Sequence, residues 1–157
     1  MAVKPIPEGY HSITPYLIVD DGARALEFYK QAFGAVEKFR MGAPGGRIGH
    51  AEMTIGDSTF MLADEYPSMG ARSAKTMGGS PMFLMIYVDN VDKMVTQAIA
   101  AGGTLKRPVA NQFYGDRTGG IDDPFGYHWY VATHVEDVPP DELQRRAAKA
   151  MSEGGGG

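Results

Sequence analysis

The sequence contains no cysteine, has a single tryptophan and has no apolar run near the length of a membrane span. Without cysteine the chain forms neither disulfides nor thiolate metal sites, and it carries no cysteine nucleophile. A membrane-spanning helix needs roughly 20 apolar residues, so we expect no membrane partner. The net charge is −4, which argues against nucleic acid as a partner because phosphate binding needs a basic face.

The N-terminal segment places Pro5, Pro7 and Gly9 where a signal peptide would carry an apolar stretch. We therefore expect a cytoplasmic protein. A chain of 157 residues with 43% hydrophobic composition is long enough for one domain with a core of its own.

The chain carries an internal repeat. Residues 14–35 can be laid over residues 83–104, with Val88 lying 69 positions after Val19. Further along, residues 47–56 can be laid over residues 117–126 at an offset of 70. Two similar halves at nearly one offset predict a duplicated supersecondary unit.

Hydrophobic periodicity and turn residues predict the order β-α-β-β-β in each half. We expect an α+β fold in which module one spans 12–64, a linker or lid spans 65–81 and module two spans 82–135. The lid is predicted because 65–81 holds Pro, Gly, Ser and Met without periodicity. In 136–157, a helix is expected to begin at Pro139-Pro140, and the Gly tail is expected to be disordered.

The two modules, with Phe28-Tyr29 late in the first helix and the sequence DPFGY before the last strand, resemble the glyoxalase/bleomycin-resistance/dioxygenase superfamily, also called the vicinal oxygen chelate superfamily. Residues 118–138, TGGIDDPFGYHWYVATHVEDV, are similar to its glyoxalase-like, bleomycin-resistance-like subgroup. The resemblance implies eight strands in two curved mixed sheets around a cavity, which dimerisation usually completes.

In metal-dependent members each module supplies one ligand from its first strand and one from its last. The resemblance carries these positions onto Thr14, Phe60, Phe83 and Tyr130. A divalent first-row metal needs imidazole or carboxylate ligands there, and aromatic rings are neither. We therefore predict no metal site at the family's usual positions and no cofactor.

Strand alternation predicts which other side chains line the cavity. A face that carries Thr14, Phe60, Phe83 and Tyr130 would be shared by further aromatic, methionine and polar side chains. The predicted ligand-binding residues are Tyr16, His50, Glu52, Phe60, Phe83, Met85, Tyr87, Asp122, His128 and Tyr130. A mostly apolar concavity with a few polar groups is typical of small-molecule sites.

Two enzymatic alternatives remain open from the sequence. In one, His50, Glu52 and His128 hold a relocated divalent metal ion for a glyoxalase-like lyase or isomerase. In the other, Glu52 is a catalytic general base paired with Asp122 across the pseudo-two-fold axis, in a cofactor-free isomerase.

The leading hypothesis is a metal-independent protein that binds a small, partly aromatic or amphipathic molecule. Sequestration of a toxic natural product, as in resistance proteins, is one physiological version. An apolar stripe of Leu143, Ala147 and Met151 on the C-terminal helix, together with the resemblance, predicts a homodimer.

Overall fold

A computed structural model describes residues 2–154 of the chain; the remainder of the predicted Gly tail lies outside these residues. The first module contains β1 (Tyr16–Val19), α1 (Gly22–Phe33), β2 (Val36–Ala43), β3 (Arg47–Ile55) and β4 (Ser58–Asp64). A connecting segment contains the short helix α2 (Ala74–Met77). The second module contains β5 (Phe83–Tyr87), α3 (Val91–Ala100), β6 (Thr104–Asn111), β7 (Asp116–Asp122) and β8 (His128–His134). Helix α4 (Pro140–Ser152) follows.

Each module forms one four-stranded mixed sheet, with the order β1-β4-β3-β2 in the first and β5-β8-β7-β6 in the second. In both sheets the first strand pairs in parallel with the last strand of its module, and the other pairs are antiparallel. The predicted α+β fold with two β-α-β-β-β modules is confirmed.

Local sequence signals explain why the module helices begin and end where they do. The Asp21 side chain accepts from Arg24 N at the start of α1, and Asn90 accepts from Lys93 N at the start of α3. Helix α1 ends at Gly34, whose φ of 67° is the left-handed conformation that glycine adopts without strain.

The two sheets share one core through their helix-bearing faces. Helix α1 packs against α3. Trp129 of β8 lies 5.3 Å from Tyr29 of α1 and 6.2 Å from Phe60 of β4, between ring centroids. All three side chains are buried. Since both helix-bearing faces point into this core, the other face of each sheet points outward.

The segment between the modules is more ordered than its composition predicts. It contains a 3-10 turn at Pro67–Met69 and the helix α2. The Glu65 carboxylate accepts hydrogen bonds from Ser73 (2.7 Å) and Thr76 (2.8 Å), which tie the segment to the end of the first module. Its role as a lid stays a prediction.

Helix α4 lies on the surface, and none of its residues is buried. Arg146 attaches it to the second module through the Glu136 carboxylate (2.7 Å) and the Phe113 carbonyl (3.1 Å). Met151, one of the residues in the predicted apolar stripe, is 79% exposed. Among residues 2–154, no helix is both long and apolar enough to cross a membrane.

The repeat offset differs on the two sides of the β3–β4 turn. In β3 and β7 the equivalent pairs are Thr54 and Asp122, an offset of 68, whereas in β4 and β8 Thr59 is equivalent to His128, an offset of 69. The second module therefore has one more residue in this turn. The constant offset of 70 predicted for these strands was wrong. Because of this error, the prediction placed Phe60 on the wrong face of β4.

Candidate functional site

The outward face of the first sheet forms what we call the first open face, carrying Tyr16, Phe39, His50, Glu52 and Met61. Cross-strand pairing places these side chains together, because Glu52 stands opposite both Met61 and Phe39, and Tyr16 stands opposite Met61. Tyr16 and Phe39 are each close to half exposed. The first open face is therefore an aromatic surface with a histidine and a carboxylate in its middle.

His50 is the polar centre of this face. Its Nδ1 lies 2.8 Å from the Tyr16 hydroxyl, and its Nε2 lies 3.5 Å from Glu52 Oε2. Burial raises the pKa of Tyr16, so the hydroxyl stays protonated and can donate to Nδ1. The two ring nitrogens of His50 therefore face two different polar partners, a hydroxyl and a carboxylate.

The N-terminal segment covers part of the first open face. A hollow of about 480 Å³ lies between this segment and the sheet. Its lining consists of Pro5, Ile6, Pro7, Tyr10, His11, Ser12, Thr14, Glu52 and Met61. Thr59 holds the segment in place by donating a 2.8 Å hydrogen bond to the Gly9 carbonyl. Glu52 thus borders a space of the size that small ligands occupy.

The outward face of the second sheet, the second open face, carries a stack of rings. Phe83 lies 5.0 Å from Tyr130 with an interplanar angle of 21°, and 5.0 Å from the His128 ring. The Arg107 guanidinium lies over Tyr130 at 5.6 Å. Asp122 Oδ1 lies 2.5 Å from His128 Nδ1. Phe83 is 52% exposed, so the stack presents an exposed aromatic surface beside the hydrogen-bonded pair of Asp122 and His128.

Met85 and Tyr87 extend the second open face toward the end of β5. The Tyr87 hydroxyl donates to Asp116 Oδ2 at 2.8 Å, and this bond, followed by burial, raises the pKa of Tyr87. The other Asp116 oxygen accepts from His134 Nδ1 at 2.8 Å. Asp116 is buried, so it links the open face to the last residue of β8.

Nine of the ten residues predicted to bind ligand lie on these two faces, and Phe60 does not. Pairing with Met53 places Phe60 on the helix-bearing face, where it is only 5% exposed. The residue of β4 that stands opposite Tyr16 is Met61, as Tyr130 stands opposite Met85 in the second sheet. A shift of one residue in a strand exchanges its two faces, which is why the offset of 70 placed Phe60 wrongly.

Sequence reasoning also missed Phe39, Met61 and Arg107. Arg107 lies in the middle of β6, which runs from Thr104 to Asn111 with two irregularities in its pairing. Phe39 and Arg107 lie on outer strands, and each is paired with the centre of its open face. Extending the repeat alignment through these strands with the correct offset would have found both.

The residues at the positions that the resemblance assigns to metal ligands are not suited to bind a metal ion. With the corrected register they carry a threonine hydroxyl (Thr14), a thioether (Met61), a phenyl ring (Phe83) and a phenol (Tyr130). This is not a donor set for a divalent first-row metal ion. Over residues 2–154, no three His, Asp or Glu side chains converge as a metal-binding group. His50 and Glu52 therefore stand apart from His128 within one chain.

Glu52 and Asp122 do not occupy equivalent positions. Glu52 pairs with Met61, and the equivalent pair in the second sheet is Gly120 with Tyr130, so Gly120 is the equivalent of Glu52. The equivalent of Asp122 in the first sheet is Thr54. The two carboxylates lie on different open faces, each beside its own histidine. Glu52 and Asp122 therefore do not form a symmetric acid–base pair across the pseudo-two-fold axis.

The sequence and the fold both have known relatives. The chain is 39% identical over 149 residues to an uncharacterized protein of Mycobacterium tuberculosis, covering 93% of this chain and 85% of that protein. A crystal structure of an Arabidopsis thaliana gene product matches with a TM-score of 0.64 at 26% identity, over 78% of this chain and 98% of that one. TioX from Micromonospora sp. ML1 has the same fold, with a TM-score of 0.63 at 21% identity over 82% of this chain and all of that chain.

The sequence profile of the glyoxalase/bleomycin resistance protein/dioxygenase superfamily matches residues 9–131. This range includes both modules up to the middle of β8. The chain belongs to the glyoxalase/bleomycin resistance protein/dioxygenase superfamily.

Proposed function

We propose that the protein binds a small, partly aromatic or amphipathic molecule without a metal ion. The observation that carries this proposal is the exposed ring stack of the second open face, where Phe83, Tyr130 and His128 lie side by side. Exposed apolar patches of this kind mark interaction sites on soluble proteins. Stacking on these rings would supply most of the affinity.

The hydrogen-bonded histidines supply polarity at defined points of both faces. His128 is held by Asp122, and His50 is held between Tyr16 and Glu52. Fixed polar groups within an apolar surface orient a ligand and make binding selective. An amphipathic molecule would place its ring on the stack and its polar end beside these groups.

A homodimer would complete the site. In one chain both open faces point outward, so neither encloses a ligand by itself. A second chain that places its first open face against the second open face would enclose a cavity lined by aromatic, methionine and histidine side chains. Burial of these half-exposed apolar side chains would also drive the association.

The proposal is tested by measuring binding of anilinonaphthalene sulfonate, an amphipathic aromatic probe, by its fluorescence. We expect saturable binding that weakens at least about tenfold in Phe83→Ala, the equivalent of roughly 1.4 kcal/mol. The matched control is Tyr66→Ala, which removes a 61% exposed aromatic side chain outside both open faces and should leave the affinity unchanged.

The same variants show whether a loss of binding reflects misfolding or the loss of the site. Circular dichroism and thermal unfolding must show that Phe83→Ala is folded. Binding that Phe83→Ala does not weaken, or that Tyr66→Ala weakens equally, would contradict a ligand site on the second open face. Binding that requires an added divalent ion would contradict the metal-independent part of the proposal.

A further inference from the structure

The structure contains a cavity at the junction of the two modules, which shares only Met85 and Tyr87 with the second open face. It has a volume of about 360 Å³ and lies between the β3–β4 turn of the first module and strand β5 of the second. The lining residues are His11, Ile13, Pro15, Ile55, Gly56, Asp57, Ser58, Thr59, Phe60, Leu84, Met85, Ile86, Tyr87 and Trp129. We call this space the junction cavity. Its volume is within the range of about 300–1,000 Å³ that is usual for small-molecule sites.

The pseudo-two-fold relation between the modules shows what occupies the equivalent place on the other side. At an offset of 69, the β1–β4 pair Leu17 and Leu62 is equivalent to the β5–β8 pair Ile86 and Val131. The same offset makes Ser58 equivalent to Tyr127. The junction cavity, between the β3–β4 turn and β5, is therefore the counterpart of the space between the β7–β8 turn and β1.

Tyr127 fills that counterpart space. Its side chain reaches from the β7–β8 turn to the outer edge of β1, where the hydroxyl donates to the Ile18 carbonyl at 2.8 Å and accepts from Ile18 N at 3.1 Å. Tyr127 is only 8% exposed. Burial raises its pKa, so the hydroxyl stays protonated and keeps its donor.

The junction cavity has the matching backbone groups, but Ser58 stands at the position equivalent to Tyr127. Tyr87 is equivalent to Ile18 at the same offset of 69, because Ile18 follows Leu17 and Tyr87 follows Ile86, the equivalent of Leu17. In a parallel ladder alternate residues bond to the neighbouring strand, and Val88 N donates to Ala132 of β8. The N–H and C=O of Tyr87 are therefore turned away from β8, toward the cavity that Tyr87 lines. The Ser58 hydroxyl donates instead to Asp57 Oδ1, at 3.1 Å.

We propose that the junction cavity is a second ligand site, and that it binds a phenol whose ring and hydroxyl take the places of the Tyr127 ring and hydroxyl. The hydroxyl would donate to the Tyr87 carbonyl and accept from Tyr87 N. The ring would pack against Leu84, Phe60 and Trp129, because these apolar side chains line the cavity. This site shares Met85 and Tyr87 with the second open face, but it does not use the ring stack of Phe83, Tyr130 and His128.

The experiment uses p-cresol, which reproduces the tyrosine side chain, and p-xylene, which has the same shape without the hydroxyl. Binding is followed by the amide cross-peaks of Tyr87 and Ile86 in ¹⁵N-labelled protein. We expect saturable p-cresol binding that moves the Tyr87 cross-peak, and p-xylene binding that is at least about tenfold weaker because the backbone pair is left unpartnered.

Variants at Ser58 test the pseudo-symmetry directly. Ser58→Tyr would place a phenol in the cavity and should abolish p-cresol binding, whereas Ser58→Ala leaves the cavity open and should leave the affinity unchanged. Phe83→Ala, which alters only the second open face, should also leave p-cresol binding unchanged. Loss of p-cresol binding in Phe83→Ala would move the probe to the open face and overturn the proposal.

Two results with the unmodified protein would also overturn it, whether or not Ser58→Tyr folds. One is equal affinity for p-cresol and p-xylene. The other is a Tyr87 cross-peak that stays in place at saturating p-cresol. A Tyr87 cross-peak that moves only with protein concentration would assign the cavity to a second copy of the chain, against the proposal.

Discussion

The Tyr29 hydroxyl donates a 2.5 Å hydrogen bond to Asp123 Oδ2, and this contact joins the helix of the first module to the last turn of the second. Trp129 Nε1 donates to the same oxygen at 2.9 Å, while the amides of Phe125 and Tyr127 donate to Oδ1. All four donors serve one buried carboxylate. Burial raises the pKa of Asp123 and raises that of Tyr29 well above its usual value.

Replacing Asp123 should therefore destabilise the whole chain. Asp123→Ala leaves buried donors without an acceptor, and we expect a loss on the order of 3 kcal/mol in the free energy of unfolding. Asp123→Asn keeps one oxygen but presents an amide nitrogen to either the Trp129 donor or the backbone amides, so an intermediate loss is expected. Urea unfolding measures both. Asp89→Asn, at an exposed position, is the control, and equal losses in Asp89→Asn and Asp123→Asn would contradict the buried-acceptor role.

The two faces of β4 give a second prediction. Phe60 contacts Tyr29 and Trp129 in the core, so Phe60→Ala should lower the free energy of unfolding by about 3–5 kcal/mol. Met61 lies on the first open face, and Met61→Ala should cost far less. Chemical unfolding of the two variants tests this difference. A larger loss for Met61→Ala would mean that the strand presents the opposite face to the core.

These neighbouring residues also show how far sequence reasoning reaches. The order of elements, both module helices and the faces of β5 and β8 followed from periodicity, capping residues and turns. The face of Phe60 did not, because one extra residue in the β7–β8 turn changes the offset and a strand has a period of two. The hydrogen bonds at Asp123 did not follow either, because one of the donors, Tyr29, lies 94 residues away in the chain.

His134 gives the protein a pH-dependent contact. Its ring nitrogens lie 2.8 Å from Asp116 and 2.7 Å from Asp137. These hydrogen bonds, first to Asp116 and then to Asp137, raise the pKa of His134. A histidine whose folded pKa exceeds its unfolded value of about 6.5 stabilises the fold fully below that value. The stabilisation is lost as the pH rises through the folded pKa.

We therefore expect the difference in urea midpoint between the unmodified protein and His134→Gln to be largest in mild acid and to shrink as the pH rises through the folded pKa. The Tyr87 hydroxyl, which also bonds to Asp116, stays neutral across this pH range. It therefore does not reverse the direction in which the difference in urea midpoint changes with pH. His11→Gln, on an exposed histidine, serves as the control for general titration effects. A difference that grows with pH would contradict the assignment.

Metal content tests the absence of a chelate at the family's positions. After dialysis and exposure to Ni²⁺, Zn²⁺, Fe²⁺ and Mn²⁺, we expect the protein to retain less than about a tenth of an equivalent of each, because residues 2–154 bring no complete ligand set together. Elemental analysis measures this. Retention near one equivalent that disappears in Glu52→Ala or His50→Ala would show that His50 and Glu52 are metal ligands, and the lyase or isomerase alternative would then take precedence.

The proposed dimer would bury the second open face. If the second open face is buried against a partner chain, a charge placed at its centre must be desolvated on association. Phe83→Glu should therefore weaken the dimer at least about tenfold, the equivalent of roughly 1.4 kcal/mol. Sedimentation velocity at micromolar concentration should show a dimer for the unmodified protein and a shift toward monomer for Phe83→Glu. Tyr66→Glu places the same charge on an exposed residue outside both faces and should leave the dimer intact. A monomer in the unmodified protein, or a dimer that Phe83→Glu does not weaken, would mean that each open face meets its ligand without a second chain.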